Sequence, residues 1–207
     1  PDLSGEALVE QLRADFPPPR TLGYDVARDT LYGTVFNEAR TVEAFYTGFS
    51  ASLDSDPDPS TAVGNDGVNT EHLWPQSLGA GEEPARSNMH ILVPARGDVN
   101  TARSNFPFAD IPDAQTTQWY VEDRSQTTIP QTNIDAYSEF DGINSRFEPR
   151  EAVKGNVARA LFYFYLTYPS RAEAAFLSAQ AETLRNWHAH DPVDTGEQRR
   201  NVRIASY

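Results

Sequence analysis

The chain has 207 residues, 39% of them hydrophobic and 23% charged, the composition of a globular protein with enough apolar side chains for a core of its own. Its longest apolar run, Ala160 to Tyr168, stops at Pro169 well short of the roughly 18 residues that a bilayer span needs, which excludes a membrane-embedded protein. With 17 basic residues against 30 acidic ones the net charge is −13, which excludes a protein that coats nucleic acid with a generally basic surface, and the lack of cysteine excludes disulfides and thiolate chemistry. Lys154 is the only lysine. So acidic a chain with so little lysine is expected either of a protein adapted to salty surroundings or of an ordinary acidic protein from an arginine-rich genome. Pro1 stands where Met would open a primary translation product, as in a processed or trimmed chain.

In chain order, Ser4 is placed to cap a first helix carrying Leu8, Val9 and Leu12, which the prolines at 17, 18 and 19 stop. A second helix is predicted from Asp25 to Phe36, with Val26, Thr30, Leu31 and Val35 as its inward face. Thr41 to Ser50 alternates as a strand does, with Val42, Ala44, Tyr46 and Phe49 around Gly48. Ser52 to Gly67 reads as a Ser/Asp/Pro/Gly loop. Its Asp54, Asp56 and Asp58 invite a calcium reading, but Pro57, Pro59 and the lack of a suitably spaced glutamate spoil an EF-hand, so a solvated acidic loop is expected.

Val68 to Leu73 and His90 to Val93 read as two strands joined by a loop, followed by a helix that Asp98 would cap. From Asp110 to Asn144 the chain is polar and turn-rich, with short strands expected near Thr117 to Val121. Arg150 to Tyr168 is the strongest helix, with Val153, Val157, Leu161, Phe164 and Tyr168 on one side, Pro149 at its start and Pro169 at its end. A last helix is predicted from Arg171 to about His188, turning Ala174, Leu177, Ala181 and Leu184 inward.

Two of the four histidines fall in the strand–loop–strand–helix segment. A histidine there can accept a proton from water at neutral pH, and a carboxylate with an amide carbonyl makes a hard oxygen site suited to Mg²⁺, which keeps most of its waters. His72, Glu71 and Asn100 together would suit phosphodiester hydrolysis, with the ion offsetting charge on the phosphate and the departing oxygen. One geometric objection stands: neighbours in a regular strand point to opposite faces, so Glu71 and His72 require a bend or must act from two sides of a ridge.

The surrounding residues add a resemblance. Asn69-Thr70-Glu71-His72-Leu73-Trp74-Pro75-Gln76-Ser77, then His90-Ile91-Leu92-Val93-Pro94, then Val99-Asn100-Thr101-Ala102-Arg103-Ser104-Asn105 closely resemble the endonuclease I family of ββα-metal nucleases. Leu22 to Arg28, Tyr46-Thr47-Gly48, Lys154 to Ala160, Trp187 with Asp191 to Asp194, and Glu197 to Asn201 continue it in order over most of residues 20–204. The resemblance implies an α+β fold, a mixed α/β single domain over 1–207 with a central ββα-metal unit at about 68–108 flanked by helices, the C-terminal helical part at about 149–190. It implies His72 as general base, Glu71 and Asn100 as ligands of one Mg²⁺ that Mn²⁺ or Ca²⁺ can replace in binding, and cleavage of DNA, and RNA in many members, without regard to sequence. A secreted or periplasmic monomer leaving 5′-phosphate ends is expected.

Arg103, three residues after Asn100, is expected at the site as a phosphate contact or a structural one, with Arg86 and Arg96 as lesser candidates. Arg159 and Glu151 could face the site or form ion pairs, His188 and His190 are minor candidates, and Trp74 is expected to pack beneath the site. The chain departs from the family at Asn88, where an acid is usual, and at Ile91, where a polar residue is usual, and it ends soon after Asn201. His90 is read as supporting the site or as a core histidine. Two rivals follow: a nuclease fold with impaired chemistry that only binds nucleic acid, and a secreted calcium-binding module built on the Asp54 to Asp58 loop.

Overall fold

The computed structural model describes residues 3–207. Helix α1 (Gly5–Asp15) begins after Ser4, whose backbone takes the capping conformation without a side-chain bond, and it rests on the C-terminal half through Arg13 Nε donating to the Leu166 carbonyl. Helix α2 (Tyr24–Thr30) runs into a π-helical turn at Leu31–Val35. Its inward face is Ala27, Leu31, Tyr32 and Val35, whereas Val26, predicted to face in, is exposed. A three-stranded antiparallel sheet follows from β1 (Asn37–Glu38), β2 (Thr41–Glu43) and β3 (Ser50–Ser52). The single strand expected over 41–50 is thus two strands with a tight turn between them. Gly48 at φ +73° supplies the left-handed backbone that the turn needs, and Tyr46 leaves the sheet for the interior.

The loop expected at 52–67 contains a helix, α3 (Pro59–Asn65). Asp58 caps it by accepting from the Thr61 amide and Pro59 occupies its first turn, a start signal legible in the sequence. Asp54 pairs with Arg40, Asp56 accepts from the Asp58 amide, and Asp58 is the cap. Each of the three carboxylates thus has a partner within the chain, and among the described residues no group of three or more acidic or histidine side chains that could hold a metal ion is found.

Strand β4 (Val68–His72) pairs antiparallel with β5 (Leu92–Arg96), setting Glu71 opposite Val93 and His72 opposite Leu92. The second strand starts two residues later than expected because the Asn88 carbonyl accepts from the Ile91 amide in a turn. Helix α4 (Gly97–Arg103) follows directly. Asp98 lies inside its first turn and pairs with Arg96, so it is not the cap. The excursion at 110–144 is more ordered than expected. It contributes β6 (Gln118–Val121), β7 (Arg124–Gln126) and β8 (Ser138–Asp141), which with β9 (Arg146–Glu148) form an antiparallel sheet in the order β7-β6-β8-β9. Helix α5 (Lys154–Thr167) follows a 3₁₀ turn at Glu151–Val153, and the last predicted helix is two, α6 (Ala174–Ser178) and α7 (Ala181–His190). A helix not foreseen, α8 (Thr195–Ile204), closes the chain with Asp194 as its cap.

The β4–β5 hairpin is buried on both faces. Leu92 joins a core of Ala27, Leu31, Tyr32, Val35 and Val63, and Val93 and Ala95 join a second core around Trp74, Phe147, Leu161 and Phe164. Alternation along the strand assigns each residue its side. Trp74 stacks on Phe164 at 4.5 Å and donates its indole N–H to the Leu78 carbonyl, the packing role expected of it. These two cores therefore grip the ββα unit from either side. No helix among the described residues is long and apolar enough to cross a membrane.

The large sheet also buries two carboxylates side by side, Glu139 and its cross-strand neighbour Glu148. Burial raises Glu139 to about 7, and Glu148 and Asp113 add to the rise against the Thr116 hydroxyl and Lys154. Its folded value exceeds the unfolded one, so folding binds a proton and stability falls as pH rises between about 4.5 and 7. Glu139→Gln, which cannot ionise and can still accept from Thr116, is therefore expected to gain stability relative to the parent on going from pH 5 to pH 8, by up to about 3 kcal/mol. Urea denaturation of both proteins at the two pH values measures it, and a difference that does not change with pH would refute it.

Candidate active site

His72 is the last residue of β4, and Glu71 precedes it. The pleat sends them to opposite faces, as regular strand geometry demands, and the strand ends there, so both reach a single cleft of about 380 Å³. Gln76 and Ser77 from the turn after Pro75, and Asn100, Ser104 and Asn105 from α4 and its end, line the rest. Of the two resolutions of the geometric objection, the ridge is the one observed.

On the side of His72, the ring is 5% exposed and Tyr24 stacks on it at 5.7 Å. Nε2 donates to the Arg86 carbonyl at 2.9 Å, which fixes the tautomer, and Nδ1 is left unprotonated with a long contact of 3.3 Å to the Gln76 amide. Burial, together with the Arg86 and Arg103 charges, pushes the imidazole down to about 4, against a smaller opposing effect of the Arg86 carbonyl. It is a free base at neutral pH, at the cost of a weaker hold on the proton it takes.

On the side of Glu71, the Tyr46 hydroxyl donates to Oε1 at 2.9 Å and Arg103 Nε lies 3.2 Å from the same oxygen. Burial raises this carboxyl, with Arg103 and Tyr46 opposing. Both contacts fall on Oε1. Asn100 donates through Nδ2 to Asn69 Oδ1 at 2.7 Å and to the Thr70 carbonyl at 3.3 Å, which ties α4 to β4 and leaves its carbonyl Oδ1 without a donor among the described residues. Of the predicted ligands, Glu71 and Asn100 thus each bring to the cleft one oxygen, Oε2 and Oδ1, that accepts no side-chain hydrogen bond among the described residues. That set fits a divalent hard cation that keeps several waters, and it is too sparse for one needing a full protein cage.

The structure brings His72, Glu71 and Asn100 together and sets Arg103 apart. Its guanidinium is fully buried, donates to the Leu73 and Ser104 carbonyls at 2.7 Å each, and lies over the Phe108 ring. A residue enclosed in this way does not touch a phosphate in the cleft, so of the two expectations for Arg103 its geometry supports the structural one. The cause is α4 itself: three residues past Asn100, the side chain points back under β4 to Glu71. Arg86 lies on the Tyr24 ring at 4.3 Å, and Arg96 is held by Asp98 and the carbonyls of Glu122 and Arg124. Arg159 pairs with Glu197 and Glu151 with Lys154, while His188 and His190 sit on α7 away from the cleft.

The departures also lie away from the cleft. Asn88 is buried and uses its whole amide, donating to the Tyr163 and Tyr168 hydroxyls at 2.9 and 2.8 Å and accepting from the His90 amide. Ile91 is fully buried in the second core, and His90 packs on Tyr163 rather than reaching His72. Three residues at the site had not been assigned a part: Tyr24, Gln76 and Tyr46. All three fall inside segments that carry the family resemblance, and that was the signal available; Gln76 reaches His72 from four residues on, whereas Tyr24 and Tyr46 come from sequence-distant elements.

The family model for endonuclease I matches residues 35–207, which include every residue of the cleft. The chain belongs to the endonuclease I family. Two curated proteins are similar to this endonuclease I chain, the extracellular ribonucleases of Bacillus amyloliquefaciens, at 32% identity over 149 residues, and of Bacillus subtilis (strain 168), at 31% over 149 residues. Each match covers 64% of this chain and 45% of the relative, so the chain spans less than half the length of these proteins.

Proposed function

We propose that this chain is a secreted, divalent-metal-dependent endonuclease that hydrolyses phosphodiester bonds of DNA and RNA with little regard to sequence. The observation that carries the reading is the fixed tautomer of His72, with its basic Nδ1 presented to the same cleft as the free oxygens of Glu71 and Asn100. Family membership supports the reaction class, and the names of the two relatives support RNA as a substrate and secretion.

In this mechanism Nδ1 of His72 takes a proton from a water whose oxygen attacks phosphorus, while the Arg86 carbonyl holds the ring and steadies the charge that forms on it. The bond to the 3′ oxygen breaks and that oxygen takes a proton from solvent water, leaving a 3′-hydroxyl and a 5′-phosphate. Glu71 and Asn100 would hold one Mg²⁺, which supplies compensating charge at the phosphate and the leaving oxygen when bound. Tyr46 and Arg103 position Glu71 by holding Oε1, and Gln76 limits the swing of His72. Ser77, Ser104 and Asn105 offer neutral hydrogen-bonding groups to the nucleic acid.

No arginine or lysine lines the cleft among the described residues, so the attraction that salt screens contributes little there. The expected result is nicking of supercoiled plasmid and degradation of single-stranded RNA that need Mg²⁺, stop with a chelator and persist from low to molar NaCl. No cleavage of either substrate at any salt, with Mg²⁺ bound and the chain folded, would overturn the proposal.

A further inference from the structure

Helix α8 crosses the body without burying a single side chain completely. Its attachments lie at its rim: Glu197 to Arg159 at 2.6 Å, Arg199 and Arg203 to Glu38 at 3.4 and 2.9 Å, and Arg203 Nη1 to the Val35 and Asn37 carbonyls. Beneath it lies a cavity of about 300 Å³ with Phe36, Phe45, Leu92 and Tyr163 among its walls. A second hollow of about 290 Å³ shares Phe36, Phe45, Asn156 and Arg200 with it, so the space continues along the underside of the helix. Among the described residues, none lines both this space and the His72 cleft.

Around the space, Arg200 is the one lining arginine whose guanidinium has no carboxylate within 4.0 Å among the described residues, although Asp194, Glu197 and Glu43 lie close enough to attract it. Glu197 is taken by Arg159, Glu38 by Arg199 and Arg203, and Glu43 by Arg150, while Asp194 caps α8 through the Glu197 amide. Arg200, half-buried with its guanidinium 5.3 Å from the Phe36 ring centre, has no carboxylate within 4.0 Å and no hydrogen bond among the described residues. The His90 ring, packed on Tyr163 at 4.9 Å on another wall, likewise makes no side-chain hydrogen bond there. The charged side chains lining the two hollows together, Arg150, Arg159, Arg199 and Arg200 against Glu38, Glu43, Asp194 and Glu197, balance, and Arg200 is the one arginine among them without an ion-pair partner.

A guanidinium drawn partly out of water without an acceptor is costly, and apolar walls with one or two convergent polar groups are the makeup of a small-ligand site. We propose that the space beneath α8 binds an amphipathic organic monoanion, with its carboxylate on Arg200 and its apolar body against Phe36, Phe45 and Leu92. A polyanion does not fit, because the acidic groups at the rim and a net charge of −13 oppose it. This site is independent of the nuclease reading.

The test is calorimetric titration of the whole chain with decanoate and, separately, with decanol as the uncharged analogue. Saturable one-to-one binding of decanoate is expected, weaker by about ten-fold or more for decanol and for Arg200→Gln. Arg185→Gln, on α7 and outside the space, is expected to leave it unchanged. Absence of saturable decanoate binding to the parent overturns the proposal. So does equal binding of decanol, or of decanoate to a folded Arg200→Gln, since apolar partition alone would then explain the uptake.

Discussion

His72→Ala is expected to slow phosphodiester cleavage by about 10²- to 10⁴-fold, the range that a positioned general base contributes. Among the described residues that line the cleft, the imidazole is the one side chain with a basic nitrogen, and its tautomer is held by a backbone carbonyl rather than by another titrating group. Removing it leaves Glu71, Asn100, Tyr46 and Arg103 in place, since none of their bonds passes through the ring. Metal binding measured by calorimetry is therefore expected to survive while turnover collapses. Added imidazole should restore part of the rate, because the ring leaves a slot between Tyr24 and the Arg86 carbonyl. A folded variant that cuts as fast as the parent would remove His72 from the role of base.

Arg103→Met is expected to cost about 3–5 kcal/mol of stability, the range for breaking a buried ion pair by removing one partner. Glu71 would be left buried without its counter-charge, and the Leu73 and Ser104 carbonyls would lose their donor. Tyr46→Phe removes only one hydroxyl from the same carboxylate and is expected to cost about 1 kcal/mol. The sign of the coupling is the sharper test. Adding Glu71→Gln to Arg103→Met removes the stranded charge and should recover part of the loss, which denaturant unfolding of the four combinations measures. Losses that simply add, or a loss for Arg103→Met below about 1 kcal/mol, would contradict the positioning role.

The same pair shows how far the candidate site could be read in advance. Glu71, His72, Asn100 and Arg103 were all legible as residues of one segment, because the two strands and the helix that carry them are consecutive. The role of Arg103 was not legible. Helical spacing puts it near Asn100, but only the packing of α4 under β4 decides that its guanidinium meets Glu71 and two carbonyls instead of solvent. Asn88 and Ile91 looked like losses of function in the sequence; in the fold, one ties two tyrosines and the other fills the core, and neither lines the cleft.

The sequence by itself determined the family, the order of the strand, strand and helix at the centre, and the long helix after Pro149. These depend on short-range patterns: alternation in the strands, three- and four-residue spacing in the helix, and motifs whose members lie close along the chain. It did not determine α3, because two prolines and four acidic residues mask a cap signal, nor the break of the strand at Gly48, where a left-handed turn interrupts regular alternation. Tertiary structure alone decided that Tyr24 and Tyr46 reach the two faces of β4 and that α8 bridges a hollow with Arg200 inside it. Contacts between segments distant in the chain leave no local period to read. They depend on which faces remain to be covered once the β4–β5 hairpin has buried both of its own.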